Sequence, residues 1–162
     1  MAITIQVDGP ALIKIASPAA GSLDSLGYTE NGAEIEEQLF PYNVAGDQNG
    51  GDAGPPIDIQ YMGEMHRIRL LLTTYDEAVL NKIRAGLAGG TAGTPGTAGT
   101  LYFQDTKAFR LLIHTTNRPR NYGRVVFTEA KSLNKGTKHS KALVTALAYK
   151  DGSGVLYDAT TT

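Results

Sequence analysis

Apolar residues recur at every second position through much of this chain. In "HRIRLLL", Ile68, Leu70 and Leu72 alternate with Arg67 and Arg69; in "AEIEEQL", Ile35 and Leu39 stand against Glu34, Glu36 and Gln38. Successive side chains of an extended strand point to opposite faces, so this period marks half-buried β-strands and does not fit a helix. The same period runs through Ile3, Ile5 and Val7, a strand closed by Asp8-Gly9-Pro10, with Leu12, Ile13 and Ile15 forming a second. It returns in Ile57, Ile59 and Tyr61, where Gly63 separates one strand from the next, and then in Leu101-Tyr102-Phe103 and in Phe109, Leu111 and Ile113. Val125-Val126-Phe127 follows, then a long strand with Leu143, Thr145, Leu147 and Tyr149 on one side. Asp151-Gly152-Ser153-Gly154 turns that strand into Val155-Leu156-Tyr157 as a closing hairpin.

One helix interrupts the strands. Thr74-Tyr75-Asp76-Glu77 has the form of a capping box, in which Thr74 accepts from a first-turn amide and Glu77 reaches back. Val79, Leu80, Ile83 and Leu87 form its apolar stripe, and Lys82 and Arg84 suit the negative end of its dipole. The tracts between are turn-rich at 27–32, a long Gly/Asp/Asn/Pro loop at 45–56, and a Gly/Thr/Ala-rich stretch at 86–100. The last has too little apolar content to hold it down and is expected to be mobile in the isolated protein; it carries no phosphate-loop or collagen pattern. The expected fold is mainly β: a β-sandwich or open barrel of antiparallel strands with one flanking α-helix at about 74–86 and long loops. At 162 residues the chain fits one domain over 1–162 with a core of useful size.

Charge is distributed unevenly. Residues 1–65 hold ten Asp and Glu against Lys14 alone, and residues 66–162 hold fourteen Lys and Arg against six carboxylates; balances of −9 and +8 give the net −1. Such asymmetry suits a molecule that meets copies of itself, or a polyanion, in one orientation, and equally suits two differently charged solvated faces. The chain has no cysteine, which excludes disulfides, thiol catalysis and Cys-ligated zinc. Its start lacks the basic and apolar regions of a secretory leader, so a soluble protein is expected, with no membrane partner.

Chemistry finds little purchase. His66, His114 and His139 have no second ligand at metal-binding spacing, and His66 and His114 are placed on the polar phase of strands, as surface residues. Glu34 and Glu36 lie about 6.5–7 Å apart along one strand face, which overlaps the carboxylate spacing of inverting glycosidases. Neighbours on one strand point in parallel, however, and cannot flank a sugar. No nucleophile elbow is present, so no catalytic residue, cofactor or metal is assigned and a non-enzymatic role is expected. The basic tract of Arg118, Arg120, Arg124, Lys131, Lys135, Lys138 and Lys141, with Tyr122 and Phe127 inside it, is a candidate nucleic-acid surface. A partner surface for the acidic half of a second copy explains both tracts together.

"LGYTENGAEIEEQL", "GDQNGGDAGPPIDIQYMGEMHRIRLLLTTYDEAVLNKI" and "NYGRVVFTEAKSLNKGTKHSKALVTALAYKDGSGVLYDA" resemble in their turns and alternation the tail tube (major tail) proteins of tailed bacteriophages, over some two-thirds of the chain. The resemblance implies a virion structural protein whose copies form hexameric rings, stacked head to tail into a conduit for DNA. It implies as partners other copies, the tape measure, terminator and baseplate proteins, and a sheath if the tail contracts, with assembly in the host cytoplasm. A tail terminator or neck ring, which shares the fold, is the nearest alternative, and a small nucleic-acid-binding module is the alternative of another class. Under the tube reading, Glu34, Glu36 and Gln38 offer a lumen lining that repels phosphate; their face could instead be a solvated outer one. Asp47, Asp52 and Asp58 are then expected to meet Arg118, Arg120 and Arg124 of the next ring.

Overall fold

In the computed structural model, residues 9–46, 50–84, 98–99, 101, 107–127, 129, 132–136 and 140–160 are described. Seven strands and one helix follow in order: β1 (Leu12–Ala16), β2 (Asp24–Val44), β3 (Asp58–Tyr75), α1 (Glu77–Arg84), β4 (Phe109–His114), β5 (Arg120–Val126), β6 (Ser132–Asn134) and β7 (Lys141–Tyr149). Every pairing is antiparallel. The sheet runs β3-β2-β1-β4-β5-β7-β6, and β3 also pairs with β7. This second pairing joins the two sides of the sheet, so the strands form a ring-like, near-barrel arrangement with α1 on its flank.

In β1, in β3 from Ile68 onward and in β4 the inward phase is the apolar phase read from the sequence. Ile13 and Ile15 of β1, Ile68, Leu70 and Leu72 of β3, and Phe109, Leu111 and Ile113 of β4 are buried. In β7 the phase is the reverse of the one read from the sequence: Ala142, Val144, Ala146 and Ala148 point into the core, small side chains that let β3 and β5 approach around it, while Leu143 is 41% exposed. Phe109 and Phe127 meet edge to face with ring centroids 5.1 Å apart. Val79, Leu80 and Ile83 of α1 cover one side of this core.

Several sequence expectations are corrected. The helix starts later than expected, and Thr74 lies within β3. The cap is Asp76, whose Oδ1 accepts from the amides of Ala78 at 2.8 Å and Val79 at 3.3 Å. The tract 27–32 is not a turn but part of the 21-residue β2, which absorbs its glycines as register irregularities. At Gly27, φ is 152° and an added Cβ would run into the Thr74 carbonyl, so the close pass of β3 requires glycine there. Gly63 does not separate two strands: β3 is continuous through it, and its φ of 141° accompanies a slip in register between Leu39 and Pro41. The closing hairpin has only one strand. After the turn at 151–154 the chain crosses to β5, where Asn121 and Asp158 form an isolated bridge. The strand at Ile3, Ile5 and Val7, the residues Tyr102 and Phe103, and all of 86–100 except Ala98 and Gly99 lie outside the described residues.

The feature that positions everything below is the length of β2 and β3. β1 covers β2 only at 24–28, and β7 covers β3 only at 66–72. Beyond those points the two strands continue as a hairpin arm, 38–44 against 58–65, joined by a 3-10 turn at Gly51–Ala53. At about 3.4 Å per residue the arm projects some 20–25 Å from the barrel.

Candidate functional site

The arm carries large apolar side chains that remain largely exposed among the described residues, with the Lys150 ammonium 5.9 Å from the centre of the Tyr61 ring. Leu39, Phe40, Tyr42, Ile57, Ile59, Tyr61 and Met62 are 41–61% exposed. Leu39 was expected in the core because it shares a phase with Ile35. Ile35 does pack against the core, but by Leu39 the strand has already left the barrel. Period two identifies a strand and says nothing of what covers it. Seven large side chains grouped on one projection form a patch of the kind that marks an interaction surface. The arm also has open edges: among the described strands, β2 beyond Tyr28 and β3 before Met65 each have a neighbour on one side only.

Glu34, Glu36 and Gln38 lie exposed on the outward face of β2, as their phase predicts. Register places Arg69 directly opposite Glu34, Arg67 opposite Glu36, and Met65 opposite Gln38. The carboxylate–guanidinium separations are 3.8 Å for each pair, and Arg67 also holds Glu129 at 2.8 Å. The face is therefore a ladder of opposite charges rather than a bare row of carboxylates. Each pair contributes only about 0.2–1 kcal/mol in so exposed a position.

The expected ring-to-ring residues divide between two places. Asp58 begins β3 at the arm's far end, where its Oδ1 accepts from the Ile59 amide at 2.7 Å, and Asp52 lies in the 3-10 turn there; Asp47 is outside the described residues. Arg118 is exposed in the turn between β4 and β5, its amide held by Thr115 Oγ1 at 3.1 Å, and Arg124 is half-buried in β5. Lys131 and Lys138 of the basic tract, and His139, lie outside the described residues, while Lys135 pairs with Glu77 at 3.1 Å and Lys141 with Glu30 at 2.8 Å.

Arg120 belongs to a different constellation, which sequence reading missed. Its guanidinium reaches Glu37 Oε1 at 3.3 Å and the Tyr122 hydroxyl at 3.4 Å, and lies 4.5 Å from the centre of the Tyr157 ring. Opposite Glu37 in register stands His66, with Nδ1 3.1 Å from the Tyr122 hydroxyl and Nε2 3.9 Å from Glu37 Oε1. His66 is not a surface residue: it is 2% exposed and shares the inward phase of Ile68, Leu70 and Leu72. Burial lowers its pKa from the ordinary 6.5, with Arg120 acting in the same direction and Glu37 and Glu64 opposing. Burial raises the Tyr122 phenol above 10.0 against the pull of Arg120, so it stays a hydroxyl. Burial opposes the charge on Arg120, but Tyr122, Glu37 and Tyr157 outweigh it and hold the guanidinium above its usual value. The signal was available: in "EIEEQL" the second glutamate of the pair falls on the phase of Ile35 and Leu39, and His66 falls on that of Ile68. No group of three or more His, Cys, Asp or Glu able to hold a metal ion occurs among the described residues, and no described helix is long and apolar enough to cross a membrane.

A solved structure described as the tail of an empty GTA particle, obtained with helical refinement and C6 symmetry, matches this chain with a TM-score of 0.50. The match covers 93% of this chain and 96% of the other. The two chains share a fold. At 10% identity the likeness reaches no further than the fold, a tail-tube-like one. The sequence matches no protein-family model and no curated protein.

Proposed function

We propose that the chain is a tail tube subunit of a phage-like virion, a structural protein whose copies close into hexameric rings and stack head to tail around a DNA conduit. The observation that carries this reading is the arm: an apolar projection with open strand edges, on a fold shared over nearly its whole length with a chain of a helical, six-fold tail. An isolated subunit leaves roughly half of each of these side chains in water, and a second copy that covers them gains about 1–2 kcal/mol for each one. Open edges give the backbone a means of continuing the sheet from one copy to the next.

Under this reading the ladder of Glu34, Glu36, Arg67 and Arg69 faces the channel. Arg67 and Arg69 are already engaged by carboxylates, so they gain little by exchanging counterions for phosphate, and DNA slides past. The acids at the arm's end, Asp52 and Asp58, reach Arg118 and Arg124 of a neighbouring ring. Tape measure, terminator, baseplate and, in a contractile tail, sheath proteins are the further partners, and the tail of the virion, assembled in the host cytoplasm, is the location. A terminator or neck ring uses the same fold and stops at one ring. Negative-stain microscopy of concentrated protein separates these outcomes: tubes with a hollow lumen support the proposal, single rings favour the terminator, and a monomer that does not assemble even on a tail-tip nucleus overturns it. Salt-sensitive retention of DNA by that monomer would favour the nucleic-acid module.

A further inference from the structure

The constellation around His66 sits where the arm leaves the barrel. His66 and Ala148 are the last residue pair between β3 and β7, and Glu37 faces His66 across β2 and β3. One residue beyond, neither strand of the arm is paired with β7. The groups that grip this root come from elsewhere in the chain: Arg120 and Tyr122 from β5, and Tyr157 from the segment that crosses back to β5. The rings of His66, Tyr122 and Tyr157 lie 5.6–5.8 Å apart in a mutual triangle.

We infer that Glu37, His66, Arg120, Tyr122 and Tyr157 form a lock at the root of the arm, closed while the His66 ring is neutral and opened when that ring takes a proton. In the closed state the charges balance: one carboxylate, Glu37, against one guanidinium, Arg120. The neutral ring fits with Nδ1 accepting from the Tyr122 hydroxyl and Nε2–H turned toward Glu37. Protonation makes both ring nitrogens donors. Tyr122 oxygen, already approached by the Arg120 guanidinium, then faces a second cationic donor, and its own hydrogen loses its acceptor. The site, with the His66 ring buried but Glu37 more than half exposed, now holds two cations against Glu37, with Glu64 the next acid along β3 and apolar Ala148 opposite on β7. Little in the barrel can relieve this. The Glu37–His66 pair can, because β7 ends there: swinging outward hydrates the ring and changes the angle of the whole arm.

The sign follows from linkage. The folded, closed form holds the His66 pKa below the ordinary 6.5, so the open form binds the proton more readily. Closure is fully favoured above 6.5 and is lost as pH falls from there toward the folded value. This concerns the single chain and does not depend on the tail tube reading.

Amide hydrogen exchange on the free subunit between pH 8 and pH 5, corrected for the intrinsic pH dependence of exchange, tests it. Amides at 36–40 and 62–66 should open more by up to about tenfold per pH unit below the ordinary histidine value, while β4 and α1 hold constant. In His66→Gln, which is neutral throughout, that slope should vanish. Flat protection in the wild type, or the same slope in His66→Gln, overturns the inference. Should His66→Gln fail to fold, NMR titration of the wild type decides: the His66 ring and the arm-root amides should share one midpoint below the ordinary histidine value of 6.5. Separate midpoints, or a His66 ring that titrates at the ordinary value, overturn it.

Discussion

Replacing Ile59 and Tyr61 together by serine separates the arm's part in assembly from its part in the fold. The two side chains lie on one face of β3 and are 61% and 56% exposed in the single chain. Full burial of such a side chain is worth about 1.5–3 kcal/mol, so less than half of that, at most ~1 kcal/mol each, is at stake in the subunit. For a chain of 162 residues the melting temperature should fall by no more than about 4–8 °C. The remainder, some 1–2 kcal/mol for each side chain, is gained only when another copy covers the arm. Losing about 2–4 kcal/mol at each contact weakens it by roughly 30- to 1,000-fold. Sedimentation of assembled from free protein over a concentration series reads this as a rise in the critical concentration, and a thermal melt of the free subunit reads the fold. A critical concentration within about twofold of wild type, in a double variant that melts as expected, would show that this face of the arm is not a contact between copies.

Other expectations follow from individual residues. Glu34→Lys with Glu36→Lys sets like charges opposite Arg69 and Arg67, costing roughly 0.2–1 kcal/mol per pair in a urea melt; assembled tubes should retain DNA at low salt and release it as salt rises, and release at the wild-type rate throughout would mean this face does not line the channel. Arg118→Glu should block elongation in a subunit that still folds, and Arg120→Glu should also destabilise the subunit because Arg120 serves Glu37 of its own chain; normal polymerisation of Arg118→Glu at low salt would remove it from the stacking contact. Asp76→Ala leaves the first-turn amides of α1 without their side-chain acceptor and should cost about 1 kcal/mol by denaturant titration. Gly27→Ala forces a Cβ against Thr74 at a φ that alanine rarely adopts and should cost about 1–3 kcal/mol or more, read the same way.

Much of the barrel was legible because its strands are buried on one face. Where one phase must be apolar, as in Ile68, Leu70 and Leu72 or Phe109, Leu111 and Ile113, alternation marks both the strand and its inward side. The stripe of α1 was legible for the same reason. What escaped depended on distant parts of the chain. A glycine inside a strand looks like a turn unless the passing partner is known, hence the misreading of 27–32 and of Gly63. The arm escaped because Leu39, Ile59 and Tyr61 alternate just as core residues do, and only the lengths of β1 and β7 reveal that neither strand reaches them. The pairing of Glu34 with Arg69 depends on a register that crosses a long loop. His66 and Glu37 look like ordinary polar residues in isolation; their meeting with Arg120, Tyr122 and Tyr157 is set by the crossing of the last segment to β5. Of the outward triad, phase foretold the exposure of Glu34, Glu36 and Gln38 but not the arginines that balance two of them.

Cryo-electron microscopy of the protein at concentrations where it sediments bears on the proposed tube most directly. The expected image is a hollow filament of six-membered rings in which Leu39, Ile59, Tyr61 and Met62 of each arm are covered by a neighbouring copy and the face of Glu34 and Glu36 borders the channel. A filament with those side chains still in solvent, or a chain that remains monomeric at every concentration and on a tail-tip nucleus, would contradict it.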